Sequence, residues 1–304
     1  MDQARPGSQI WRLRVRELAD GSLLTLPCGT ISGPEPGPRV CILAGQHGNE
    51  WNGIYLIRRL YIALQDQPVR GTLVLLPVVH PMAFNERERV DNLDQVDLNR
   101  TYTVQIPRKP TEHLGQALYR FIFSRMDYLI DLHSGGPGEY LPHIIVTPQN
   151  DLSLLAYIGL PYIHRVRGLS YHHLTAVCAE HGVNAFTVEI GQGRHLDHRH
   201  LASVKEGLLN FLRAIELLPG PATAGEAPRV FVEKRIVSAP HSGFFTAKVD
   251  LGTRIEAGDL LGHIEPILGG TDIPIPAPCG GTVLYLRRQP PVGEGDSLAH
   301  IVCD

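Results

Sequence analysis

Apolar and polar positions follow two regimes along this chain, and the change falls near residue 220. Before it, short continuous apolar runs trade places with segments of helical period. Residues 40–44 are an apolar run ending at Gly45, read as a buried strand. Residues 51–64 follow with Ile54, Ile57, Leu60, Tyr61 and Leu64 recurring at three and four, the period of one helix face. Another apolar strand is predicted over 72–79, closed by Pro81, and a helix over 112–126. Further strands are predicted at 128–132 and at 185–190, the latter closed by Gly191. Residues 201–218 read as an amphipathic helix ended by Pro219-Gly220. Continuous apolar strands between helices belong to a sheet covered on both faces, so this part is an α/β sandwich with a mixed sheet under helices.

Beyond that point the helical period disappears. Residues 219–228, rich in Pro, Gly and Ala, read as a linker, dividing the chain into a domain at 1–220 and a β-rich domain at 228–304. The tail repeats itself. Ala239-Pro240-His241-Ser242-Gly243 returns as Ala277-Pro278-Cys279-Gly280-Gly281, and Gly258-Asp259-Leu260-Leu261-Gly262-His263-Ile264 returns as Gly295-Asp296-Ser297-Leu298-Ala299-His300-Ile301. Two such copies predict a small all-β barrel or sandwich with internal pseudo-symmetry. The tail resembles the biotinyl/lipoyl carrier fold. Where carriers present their modified lysine it has Leu268-Gly269-Gly270-Thr271-Asp272-Ile273, so a structural or lid role is expected instead.

Composition narrows the classes. A formal charge of −3 leaves no electrostatic footprint for nucleic acid. No apolar stretch is long enough to span a membrane, and Met1 to Pro6 does not read as a secretory signal. The five cysteines are odd in number and scattered without a CxxC, and are expected to be reduced thiols in a cytoplasmic protein.

Three segments carry the chemistry: Gly45-Gln46-His47-Gly48-Asn49-Glu50, Asp131-Leu132-His133 and Val188-Glu189-Ile190-Gly191. Each sits at the C-terminal end of an expected strand, where open α/β sheets bind ligands. His47, Glu50 and His133 supply two imidazoles and a carboxylate for a metal, and Glu189 a second carboxylate to act as base. That is the parts list of a mononuclear zinc hydrolase. Taken singly, Glu50 could be a solvated acid at a helix start, His133 a satisfied core histidine, and Glu189 half of a structural ion pair. Asp131, two residues before His133, is a candidate partner for that ring's second nitrogen. A fourth, polar segment from Arg89 to Arg100 ends in Asp97-Leu98-Asn99-Arg100 and offers guanidinium groups suited to carboxylates or an oxyanion. Its bland alternative is a surface loop with exposed salt bridges. The histidines at 195, 198 and 200 form a competing metal set, but their polar stretch favours a loop or pocket rim, with Asp197 or His200 opening the next helix. His172-His173 is likewise read as rim or surface.

These ordered motifs resemble the aspartoacylase/succinylglutamate desuccinylase family, grouped with the zinc carboxypeptidases, over roughly residues 38 to 218. The resemblance implies a zinc-carboxypeptidase-like fold holding one Zn2+ on His47, Glu50 and His133, with Glu189 as the base. It implies Asn99 and Arg100 as a clamp on a substrate carboxylate, and Arg89, with Arg87 close by, as the group polarising the scissile carbonyl. It also implies a small acylated amino acid as partner and hydrolysis of its amide bond. The family's additional arginine and C-terminal tyrosine have no clear counterpart: Arg165 and Arg167 lie far upstream of Glu189, and Tyr285 is a weak match. Gly138-Glu139-Tyr140 and the stretch from His164 to Tyr171 are expected near the pocket. A zinc carboxypeptidase acting on peptide C-termini, or a non-catalytic zinc- or ligand-binding protein, are the alternatives that activity and metal binding would separate.

Overall fold

The computed structural model describes residues 6–121, 125–168 and 173–304. In the first part, β1 (Gly7–Glu17) and β2 (Leu23–Ser32) form a hairpin. They are followed by β3 (Arg39–Ala44), α1 (Trp51–Leu64), β4 (Thr72–Leu76), α2 (Pro81–Glu86) and α3 (Pro110–Phe121). Then come β5 (Tyr128–His133), β6 (Gly138–Val146), β7 (Tyr162–Arg165), α4 (Leu174–Glu180), β8 (Asn184–Gln192) and α5 (His198–Ala214). The rest is β: β9 (Arg229–Phe231), β10 (Arg235–Ser238), β11 (Gly243–Ala247), β12 (Arg254–Ile255), β13 (Leu260–Glu265), β14 (Ile273–Pro276), β15 (Gly281–Arg287), β16 (Pro291–Val292) and β17 (Ser297–Cys303).

Strands β4, β3, β5 and β8 lie side by side and parallel, with antiparallel β2 and β6 outside them. Both faces are covered. Leu56, Leu60, Val204, Leu208 and Phe211 of α1 and α5 pack on one, and Leu114, Leu118, Leu174 and Val177 of α3 and α4 on the other. This is the expected mixed sheet under helices. Two expected elements end early for local reasons. The strand at 72 stops at Leu76, because Pro77 has no N–H for the ladder. The long helix closes at Ala214, two residues before Glu216 turns left-handed at φ 60°. It starts at His198, where the Asp197 carboxylate caps the His200 N–H.

The tail's two copies become two antiparallel pairs, β11 with β13 and β15 with β17, each in a different sheet around one core. That gives the expected small β unit, but it is stitched to the first part. β15 pairs with β6, setting Tyr285 opposite Tyr140, and β9 pairs with β7, setting Phe231 opposite His164. One thirteen-stranded sheet therefore runs through both parts. The cysteine expectation needs correction. Cys279 and Cys303 form a disulfide, because the β15–β17 register sets Gly281 opposite Cys303 and draws Cys279 alongside. Their pairing removes the thiol argument for a reducing compartment, while Cys28, Cys41 and Cys178 are buried and free. Among the described residues no helix is long and apolar enough to cross a membrane.

Candidate functional site

The ends of β3, β5 and β8 converge on one cavity of about 420 Å³. After β3 the chain turns through Gly45 at φ 71°, a backbone state costly for other residues, and passes Gly48 so close to α2 that a Cβ there would lie 2.0 Å from the Ala83 carbonyl. This tight path delivers His47 and then Glu50, which precedes α1 and spends its side chain on the site instead of on a capping bond. His133 ends β5 and lies opposite Glu189 of β8 in the parallel ladder.

His47, Glu50 and His133 are buried, and one ligand atom from each lies within 4.8 Å of the others. His47 Nδ1 is 2.8 Å from Glu50 Oε1, and His133 Nδ1 is 2.9 Å from Glu50 Oε2, which also accepts the Ser134 N–H. Each ring's other nitrogen meets a carboxylate: His47 Nε2 is 3.1 Å from Asp97, and His133 Nε2 is 3.0 Å from Asp131. Gln46 extends the second contact, donating to Asp131 and accepting from the Tyr102 hydroxyl. Burial favours neutral rings, but Glu50 with Asp97, and Asp131 with Glu50, outweigh it and raise the pKa values of His47 and His133. Burial likewise opposes ionisation of Glu50, yet the two imidazoles hold its carboxyl well below the usual range. Two imidazoles and a carboxylate sharing one focus, with a carboxylate behind each ring, fit a zinc ion.

Glu189 lines the same cavity, and its Oε2 has no hydrogen-bond partner among the described residues. Burial pushes its pKa up to about 7 against the pull of His133 and Lys234, with Glu50 adding to the push. Arg89 lies between the triad and its support, with Nη2 2.9 Å from Asp97 and Nη1 3.5 Å from Glu50. Asn99 and Arg100 lie in a 3₁₀ turn, Leu98–Arg100, that Asp97 caps. The Asn99 Oδ1 accepts the Leu174 N–H, leaving its amide to present donors.

The structure thus brings His47, Glu50, His133, Glu189, Arg89, Asn99 and Arg100 to one cavity. Arg87 is absent from its lining; it ends α2 in a left-handed turn. His173, Tyr140, His164, Val166 and Gly168 line the cavity, while Tyr171 and His172 fall outside the described residues. His195, His198 and His200 do not line it. His200 instead groups with Asp197 and Glu139 as a second set that could hold a metal, although Asp197 caps α5 and Glu139 binds Arg288. Arg165 bonds the carbonyls of Pro148 and Asn150, and Arg167 pairs with Glu233. Tyr285 stands behind the cavity, its ring 4.8 Å from that of Tyr140, whose hydroxyl is 3.0 Å from His300. Lys234, between β9 and β10, had no sequence signal of its own, yet it lines the cavity with Nζ 5.6 Å from the centre of the Tyr140 ring.

A buried His-Glu-His focus at strand ends that could hold a metal ion, with a carboxylate opposite it in the ladder and arginines at the rim, has the parts of a hydrolase site. Residues 36–215 match the succinylglutamate desuccinylase/aspartoacylase catalytic domain, and the chain belongs to that family. It is similar to the Nα-acetyl-L-2,4-diaminobutyric acid deacetylase of Halomonas elongata, with 24% identity over 280 residues, 87% of this chain and 82% of the relative. In structure it is similar to the product-bound ectoine utilization protein EutE (DoeB) of Ruegeria pomeroyi, with a TM-score of 0.87 and 23% identity over 99% of this chain and 97% of that one. An aspartoacylase family protein of Mesorhizobium loti gives a TM-score of 0.84 at 25% identity over 99% and 96% of the two chains.

Proposed function

We propose that this protein is a zinc-dependent deacylase that hydrolyses the amide bond of an N-acyl amino acid or a similar small molecule. One observation carries the reading: the His47–Glu50–His133 focus, with a carboxylate behind each ring, lies one ladder step from a glutamate with an unpartnered oxygen. When bound there, one zinc ion per chain would supply Lewis-acid polarisation and lower the pKa of water. Glu189 holds the proton released from the attacking water and returns it to the leaving amine. A carboxyl pKa raised by burial suits both transfers, since the group must accept and donate at one pH. Arg89 offers positive charge to the developing oxyanion. Asn99 and Arg100 orient a substrate carboxylate, contributing proximity and not bond-making. Residues 1–220 make up the hydrolase domain, and residues 228–304 a unit that narrows its cavity and adds Lys234 to the wall. The names of the family and of the Halomonas relative, all describing removal of acyl groups from amino acids, support the same reading.

The test is release of primary amine by the zinc-loaded protein from a panel of N-acyl amino acids and short peptides, with Glu189→Gln beside it. Release from acyl amino acids, lost in the variant, is expected. Release mainly from peptides would make the protein a carboxypeptidase, and no release from either would remove the hydrolase reading.

A further inference from the structure

Lys234 enters the cavity from the β unit, carried there by the pairing of β9 with β7. Among the described residues it has no carboxylate within 4.0 Å, and its Nζ lies over the face of Tyr140, 5.6 Å from the ring centre. The imidazoles around it do not add charge. Burial first, and Lys234 itself in part, hold His143 and His300 down to about 3 and His164 to about 4. The cationic group on this wall is therefore Lys234, whose pKa burial lowers and the Glu189 charge holds up, both side chains lining the same cavity.

The cavity's charges are unequally matched. Its cationic side chains among the described residues are Arg89, Arg100 and Lys234, apart from histidines. Among the described residues Asp97 forms an ion pair with Arg89 and acts only at longer range on Arg100, whose hydrogen bond is to a backbone carbonyl, while Lys234 lies over a ring face with Glu189 acting on it at longer range. The carboxylates lining the cavity are Glu50 and Glu189. Glu50 is fully occupied by His47, His133 and the Ser134 N–H. A substrate ammonium would find only Glu189, which already faces Lys234 and is needed for proton transfer. Two like charges enclosed together at low dielectric repel strongly, and such repulsion is how a pocket rejects a wrong partner.

We propose that Lys234 is a specificity-determining residue that excludes N-acyl amino acids bearing a positively charged side chain. The proposal rests on the deacylase reading for its substrate class and deepens it. The name of the Halomonas relative describes a substrate with a second amine, which makes that acylated diamine the direct probe.

The probes are a matched pair, Nα-acetyl-L-2,4-diaminobutyrate and N-acetyl-L-norvaline, whose side chains have equal length and differ by one charge. Amine release gives kcat/KM for each with the zinc-loaded protein. Calorimetry with the unhydrolysable Nα-methanesulfonyl analogues gives binding independently of turnover. Wild type is expected to favour the neutral member by roughly tenfold or more in both measurements. The ratio should fall toward one in Lys234→Met and in Lys234→Gln; two variants are used so that a folding defect in one, read by its melting temperature, leaves the other. Equal handling of the pair by wild type, a preference for the cation, or a ratio surviving both variants would overturn the proposal. So would failure of the analogues to bind. A binding preference without amine release would fail the deacylase reading and leave Lys234 in its role; release without preference would do the reverse.

Discussion

The two halves of the cavity are built to opposite rules. At the ends of β3 and β5, both nitrogens of His47 and of His133 and both oxygens of Glu50 are engaged within 3.1 Å. On the β8 and β7 side, Glu189 Oε2 and His164 Nδ1 are buried without a hydrogen-bond partner among the described residues and Lys234 has no carboxylate within 4.0 Å, whereas the first half leaves Asp131 Oδ1, behind His133, in that state. An unpaired buried polar atom costs free energy that a bonded one does not, so it persists where something else repays it. The first half has its ring nitrogens and the Glu50 oxygens held by its own bonds, an arrangement that suits the proposed ion. The second keeps its polar atoms available, which is what a group that must exchange protons and meet substrates requires.

If the halves are distinct, they break separately. Glu189→Gln is expected to cost roughly 10²- to 10⁴-fold in turnover, the usual worth of a positioned acid–base group. Zinc stoichiometry, read by atomic absorption, should stay at one per chain. His133→Ala should lose the zinc itself. Metal loss in both variants would merge the halves into a single unit and make Glu189 part of the ion's cage.

The fixed half was also the legible half. His47 and Glu50 sit beside a glycine at the end of an apolar strand, and His133 ends another, so local pattern and strand-end position marked them, and the family resemblance joined them into one ligand set. Asp131 was readable for the same reason, lying two residues away on the same strand face. Asp97 was seen as part of a motif, but its bond to His47 depends on a fold-back of fifty residues. Lys234 was invisible, because a lone lysine beside a three-residue strand has no pattern, and only the β7–β9 pairing aims it inward. Tyr285 shows the converse. A tyrosine from the tail is set opposite Tyr140 and stands behind it, and Tyr140 takes the cavity wall. The Cys279–Cys303 pair belongs with these cases, since its contact is a product of strand register.

The support behind the proposed metal ligands allows a sharper test. Asp97 touches His47 Nε2, accepts from Arg89 and caps the 3₁₀ turn bearing Asn99 and Arg100. Asp97→Ala should weaken zinc binding by about 10- to 100-fold, the typical worth of a carboxylate behind a ligating histidine. Competition against a chromophoric chelator reads this directly. Asp97→Asn, which keeps an acceptor for the cap, should recover the position of the turn better than the affinity. An unchanged zinc affinity in both variants would mean that the ordered half owes its strength to Glu50 alone.

The smallest expected effect tests the other half through stability. His300 lies between the Tyr140 hydroxyl and Ser297, which puts it in the seam between the β unit and the cavity wall. Burial and Lys234 depress its pKa to about 3. In the unfolded chain it returns to 6.5, so below that pH the unfolded state binds a proton the native state refuses. The stability this ring contributes is full above pH 6.5 and is lost as pH falls from there toward 3. At pH 5 the loss is at most about 2 kcal/mol. Glu50 behaves otherwise: its lowered pKa places its acid loss below the ordinary carboxylate range, in a different window. Denaturant unfolding of wild type and His300→Gln at pH 7.5 and pH 5 separates the two. The amide can still bond Tyr140 and cannot titrate, so the variant should lose less stability on acidification than wild type. An identical drop in both proteins would assign the loss to His143 and His164 and leave His300 with no part in it.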